Sequence, residues 1–305
     1  MNPEAKEAVL SIFCNKHNIN PETLDHKLKV TIAEIYAPFL LFCECLDTKH
    51  FKRRNNPFDG FLLNMLHRSS NTFASMISLI ANGHLQDAEV ISRTLTETSL
   101  TIQFILSGDA EENLTHYLAG YFEGQKWKNN KWQAAITGVE GHPHEGLILQ
   151  KNETELKAKA ICRNFVEAAG REWPEKPRAM PIEKIYKDLG KDIEYRAVYR
   201  AMCGQSHQNQ EDLVNNLLCS LTQNDEIDIK SKNEKHSFSI FICLWGARYF
   251  LSAIATLGQH YKFETVMHQS KSATKEASIL HEEIIVALSS CSFPAGWAKS
   301  IVDGI

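Results

Sequence analysis

Runs that alternate apolar and polar residues are nearly absent from this chain, which argues against a half-buried β-sheet as its main element. There is no phosphate-cradling glycine loop, no nucleophile elbow and no EF-hand loop, so the common signatures of nucleotide, acyl-transfer and calcium chemistry are missing. None of the eight cysteines forms a C-x-x-C pair, and most lie in apolar helical stretches, as reduced cytosolic thiols do. Cys43 and Cys45 are two apart, so a helix turns them about 200° from one another and they cannot share a metal. A net charge of −4 in 305 residues excludes a global basic field, and any nucleic-acid contact must use local patches. No apolar stretch of 18 residues is free of charge, so no membrane span is expected. The start, MNPEAKEAVLSIF, lacks the basic-then-apolar pattern of a signal peptide, and a cytoplasmic location is expected.

What the chain has is period 3.6. Ile32, Ile35, Phe39, Phe42 and Leu46 share one side of a segment that starts near Pro21. Phe61, Met65, Phe73, Met76 and Ile80 mark the next helix, which should stop at Asn82-Gly83. Further helices are expected from His84 to Gly108, through AEENLTHYLAGYFEGQKWKNNKWQAAI, from Glu153 to Ala169, from Ile182, from Phe238 and from Ser272. GVEGHPHEG and TQNDEIDIKSKNEK read as loops, and GREWPEKPRAMP, with three prolines, as a linker. The expected fold is all-α, a multi-helix bundle. Residues 1–56 form an N-terminal helical extension, 57–265 the core, and 266–305 C-terminal helices packed on it.

Two patterns point at chemistry. On the helix after His84, the residues Ala88, Ile91, Leu95, Thr98, Ile102 and Leu106 mark one apolar face, and Val90, Leu100 and Phe104 a second. Arg93 and Glu97 fall on that second face, either as a structural ion pair or as part of a polar pocket shared with another helix. The Arg-then-Glu order is the weaker one for pairing within a helix, which favours a partner from outside.

The second pattern is YRAVYRAMCGQSHQNQED, where Arg200 and His207 stand seven positions apart. Gly204 is a natural helix stop and Ser206 a natural N-cap, so His207 is expected to open a new helix. A helix N-terminus favours neutral imidazole and attracts phosphate. Histidine moves protons near neutral pH and arginine grips phosphate bidentately, which suits phosphodiester cleavage without a metal or other cofactor.

Other clusters are weaker. In KWKNNKW, the residues Lys126, Trp127 and Lys131 suit single-stranded nucleic acid, unless the tryptophans face the core of an amphipathic helix. Lys52, Arg53 and Arg54 read as a solvated turn. His142, His144 and Glu145 lie close together, but no second cluster completes a metal shell.

The string NGHLQDAEVISRTLTETSL, followed downstream by LGKDIEYRAVYRAMCGQSHQNQED, resembles the bacterial domain-of-unknown-function family 5677 (DUF5677) over roughly residues 60 to 260. More distantly, the pattern is similar to the HEPN superfamily of compact helical domains, commonly dimeric. Its metal-independent ribonucleases carry Arg-x4-6-His, and Arg200-x6-His207 fits at the upper spacing. The resemblance implies an endoribonuclease acting as a bacterial toxin or antiviral defence effector. In it Arg200 and His207 are catalytic, and Arg93, Glu97, Tyr199 and Ser206 support them. A homodimer, an RNA substrate and a regulatory protein partner are implied as well. Active members often place a polar residue directly after the arginine, and this chain has Ala201 there. The alternative is a non-catalytic helical module that binds a nucleotide or a protein partner.

Overall fold

The computed structural model describes residues 1–47, 57–139, 142–178, 180–205, 217 and 225–290, and the described residues contain helices and no strands. Each element follows from local sequence. Asn2 caps α1 (Pro3–His17) by accepting from the Ala5 amide, and Asn18 closes it in the left-handed conformation. Asp25 caps α2 (His26–Asp47) through the Leu28 amide, so the segment starting at Pro21 opens as one 3-10 turn (Pro21–Thr23) and becomes α-helical only at His26. Helix α3 (Pro57–Ala81) ends as expected: Gly83 takes φ +77, its amide bonds to the Ile80 carbonyl, and the His84 amide bonds to Leu79.

Helix α4 (Leu85–Ile105) is the hub. Ala88, Leu95 and Ile102 are buried in a large cluster with α1, α2, α3, α10 (Asp225–His260) and α11 (Glu264–Ser290). On its other side Leu100 and Phe104 belong to a second cluster, shared with α7 (Ile182–Asp188), the segment Asp192–Gln205 and α10. The two apolar faces read from the sequence are thus both used, except that Val90 of the second is exposed. Helices α4 and α10 form the most extensive contact in the bundle, tied by three polar rungs. Ser239 Oγ donates to Glu89 Oε1, Ser92 Oγ to the Ile242 carbonyl at 2.8 Å, and Ser252 Oγ to Gln103 Oε1 at 3.0 Å. The partners ascend together, so the two helices run in the same direction.

Helix α5 (Ala110–Ile136) and helix α6 (Glu145–Ala168) form an antiparallel pair, with Lys159 on Glu123 and Asn129 on Asn152 and Glu155. The proline-rich linker after α6 is non-helical and bolted down: Arg171 pairs with Asp109 and Glu111, and Arg178 with Glu112, all at the acidic start of α5. Two boundaries lie well upstream of their expected places. Helix α6 begins at Glu145 rather than Glu153, and α10, whose polar opening residues carry no apolar stripe for periodicity to report, at Asp225 rather than Phe238.

The large cluster runs from Leu10 to Ala273, so the N-terminal helices and the start of α11 share one core with the centre of the chain. Within α10, Lys235–His260 is long and apolar enough to cross a membrane by length and composition, but 61% of its window is buried inside the bundle. Its apolarity is accounted for by its central position. Cys14, Cys43, Cys162 and Cys243 are free thiols, and Cys219 and Cys291 lie outside the described residues.

Candidate functional site

The second cluster holds the site. After α7, Gly190 at φ +70 reverses the chain into a short α8 (Asp192–Glu194). The helix then widens into a π turn, Tyr195–Tyr199, before regaining α geometry as α9 (Arg200–Gln205). Such turns recur at functional sites because the extra residue re-aims the side chains around it. Here Tyr195 and Tyr199 stack at 5.5 Å and 19°. Tyr186 of α7 packs on both, at 5.5 and 5.4 Å, and meets Tyr249 of α10 edge-on at 5.9 Å.

Two carboxylates hold these rings. Tyr249 donates to Glu194, which Lys191 also approaches at 3.7 Å. Tyr199 donates to Glu97 Oε1 at 2.5 Å, and Arg93 Nε donates to the same oxygen at 2.8 Å. The Arg93 guanidinium also lies 5.5 Å from the Tyr199 ring centroid. Burial, reinforced by Glu97, pushes the Tyr199 hydroxyl well above its ordinary pKa of 10, so it stays a donor at neutral pH. The Arg93–Glu97 pair therefore acts both within α4 and through an outside partner, Tyr199, joining α4 to the π turn.

The pair is less buried than its place between two apolar faces implies, with side chains 27% and 39% exposed, because α4 turns this strip outward beside α9. A loss of 3–5 kcal/mol on truncating Glu97, appropriate to a fully buried ion pair, is therefore too large. Glu97→Ala should cost about 1–3 kcal/mol, since it strands the buried Tyr199 hydroxyl while Arg93 regains water. Glu97→Gln keeps an acceptor and should cost about half as much. Urea unfolding of the two variants beside Tyr199→Phe and wild type checks this, and a Glu97→Ala variant as stable as wild type would show that Glu97 does not hold the turn.

Arg200 opens α9 with its side chain exposed and no ion pair among the described residues. Two acids that could have neutralised it are engaged elsewhere, Glu97 by Arg93 and Tyr199, Glu194 by Tyr249 and Lys191. The expected helix stop at Gly204 is not there: α9 runs through it to Gln205. His207 and Ser206 lie outside the described residues, as does the basic turn of Lys52, Arg53 and Arg54.

On α5, Asn129 is buried and donates to Asn152 and Glu155, which fixes the rotation of the helix. Lys126, Trp127, Lys128 and Lys131 consequently face outward; Trp127 is 62% exposed, with Lys131 Nζ 5.7 Å from its ring centroid. The reading in which both tryptophans face the core fails for Trp127. Trp132 is half-buried against His144 at 5.5 Å. His142 Nδ1 accepts from the His144 amide, and no group of three potential metal ligands occurs among the described residues. Among the long-range contacts that sequence reasoning missed, Tyr249 with Glu194 and Arg248 with His281 join residues 55 and 33 positions apart. Their only signal in the sequence was a polar residue inside an apolar helical stripe.

No curated protein and no solved structure matches this chain. A family model does, over residues 59–227, which take in α3 to α9 and so include Arg93, Glu97, Tyr199, Arg200 and His207. The chain belongs to the family of unknown function DUF5677.

Proposed function

We propose that this chain is a metal-independent endoribonuclease of HEPN type, working as a dimeric toxin or antiviral defence effector. The observation that carries the reading is Arg200: an exposed guanidinium with no acidic partner among the described residues, seven positions before His207. The π turn, clamped by Glu97 and Arg93 through Tyr199, sets the start of α9 and hence the position of Arg200. Tyr199 is buried with its hydroxyl committed to Glu97, so its part is positioning rather than contact with the phosphate. The exposed Trp127 with Lys126, Lys128 and Lys131 suits stacking and backbone contacts to a single strand.

In this mechanism His207 removes the proton from a ribose 2′-hydroxyl, whose oxygen attacks the adjacent phosphorus. The bond from phosphorus to the 5′ oxygen breaks, and that oxygen leaves with a proton returned by imidazolium. Arg200 holds the non-bridging oxygens as charge builds. The 5′ fragment ends in a 2′,3′-cyclic phosphate.

A second reading, a non-catalytic module that binds a nucleotide or protein partner, is favoured by Ala201 and by the continuity of α9 through Gly204. The experiment is labelled single-stranded RNA incubated with wild type, His207→Ala and Arg200→Ala in the presence of chelator, with melting curves for all three. The nuclease reading expects cleavage by the wild type alone and unchanged melting. A folded wild type that leaves RNA intact defeats it and leaves the binding module.

A further inference from the structure

We infer that Arg248 and His281 form an acid-sensitive latch that holds α11 against α10. His281 lies on α11 and is only 8% exposed. Its Nδ1 stands 2.8 Å from Arg248 Nη1 of α10. A guanidinium can only donate, and it keeps its proton at any physiological pH. Nδ1 must therefore present its lone pair, which makes the ring the neutral tautomer with its proton on Nε2. Three aromatic contacts lock the arrangement: Arg248 lies 4.5 Å from the Trp245 ring centroid, and the imidazole packs at 4.7 Å on Phe241 and 5.1 Å on Trp245.

Protonating His281 removes the acceptor and sets two cations in contact in a partly dry seam. Burial and Arg248 accordingly hold the imidazole below its ordinary value of 6.5, against a weaker opposite pull from Glu282 on the same helix. From α2, on the other flank of α11, His26, Lys27 and Glu34 face it; Lys27 is paired with Glu283 at 3.3 Å and Glu34 with Lys6 at 2.7 Å, and from α10 His236 lines the neighbouring cavity. The sign follows. A depressed folded pKa means that the open or unfolded state binds the proton better, so the latch contributes in full above about pH 6.5 and weakens as pH falls below it. Each pH unit by which folding lowers the pKa is about a tenfold loss in the ratio of closed to open. The same seam borders an apolar cavity of about 290 Å³, lined from α10 by Ile240 and Leu244 and from α11 by Leu280 and Ile284. Release of α11 in acid would widen that cavity and expose its lining.

The test uses the full chain, with wild type, His281→Gln and Arg248→Gln carried from pH 7.5 to 5.5. Melting temperature and the hydrogen-exchange protection of α11 amides are read at each pH. His17 and His116 are also held below their ordinary value and add to the acid sensitivity of every variant, so the comparison between variants decides. The latch expects α11 of the wild type to lose more protection than that of His281→Gln over this range, by a factor of up to about ten, the ceiling for one imidazole of ordinary value 6.5 carried to pH 5.5. Arg248→Gln, which keeps a donor to Nδ1 without the charge, should fall between them and serves alone if His281→Gln does not fold. Equal loss of protection in wild type and the folded variants would overturn the latch.

Discussion

Gly246→Val is expected to lower the stability of the folded chain by about 3 kcal/mol or more. Helices α4 and α10 approach each other closely at this point. A Cβ added at Gly246 would lie 2.3 Å from Ser92 Oγ, 3.1 Å from the Ser92 carbonyl oxygen and 3.3 Å from its Cα. The hydroxyl cannot simply swing aside, since it donates to the Ile242 carbonyl, and the other two atoms belong to the backbone. The helices must separate, loosening a contact that both apolar clusters depend on. Gly246→Ala meets the same clash with fewer atoms, and the better helix propensity of alanine returns about 1 kcal/mol. It should therefore cost clearly less than valine. Gly124→Ala, where nothing lies within 4 Å, is the control and should be neutral or slightly stabilising. Denaturant midpoints of the three variants check the order, and a valine variant as stable as wild type would mean that the two helices do not cross here.

The contrast between Gly246 and Gly83 shows what could be read in advance. Gly83 ends α3 by a local rule, following Asn82 after an apolar repeat, and its stop was legible. Gly246 sits within an apolar run, and its meaning depends on Ser92, 154 positions away, which no local rule supplies. The same division holds elsewhere. Both faces of α4 were legible because burial on two sides leaves two stripes. The opening turns of α10 were not, because periodicity reports burial rather than helicity.

At the site, the Arg93–Glu97 pair was visible as charge on an apolar strip, and the Arg-then-Glu order pointed to an outside partner. That the partner is Tyr199 required the third dimension. The π turn was invisible too, since YRAVY carries no breaker and its wider hydrogen bonding, the Arg200 amide reaching back to the Tyr195 carbonyl, leaves no mark in the local sequence. Gly204 misled for the opposite reason: a glycine inside a helix is tolerated at about 1 kcal/mol, so its presence permits a stop without imposing one.

Phe250→Ala is the second change with a large expected effect, about 3–5 kcal/mol. Phe250 is fully buried on α10, stacked on Phe73 of α3 at 5.5 Å and 21°, and 6.0 Å from Phe39 of α2. Phe73 continues to Phe13 of α1 at 5.9 Å, and Phe13 to Tyr36 of α2 at 4.9 Å. Tyr36 meets Phe39 at 5.1 Å, so Phe250 belongs to a closed circuit of aromatic contacts through four helices, and its removal leaves a void that none of them can fill alone. The preceding residue, Tyr249, belongs to the other cluster and donates to Glu194, so α10 joins this core to the segment that carries the π turn. Phe250→Leu keeps most of the volume and should cost less than about 1.5 kcal/mol. Urea unfolding should move the midpoint of Phe250→Ala far more than that of Phe250→Leu while the slope stays constant, because the area exposed on unfolding hardly changes. If the two variants instead unfold at the same midpoint, the ring does not fill the space assigned to it and α10 is not seated on α3 as described.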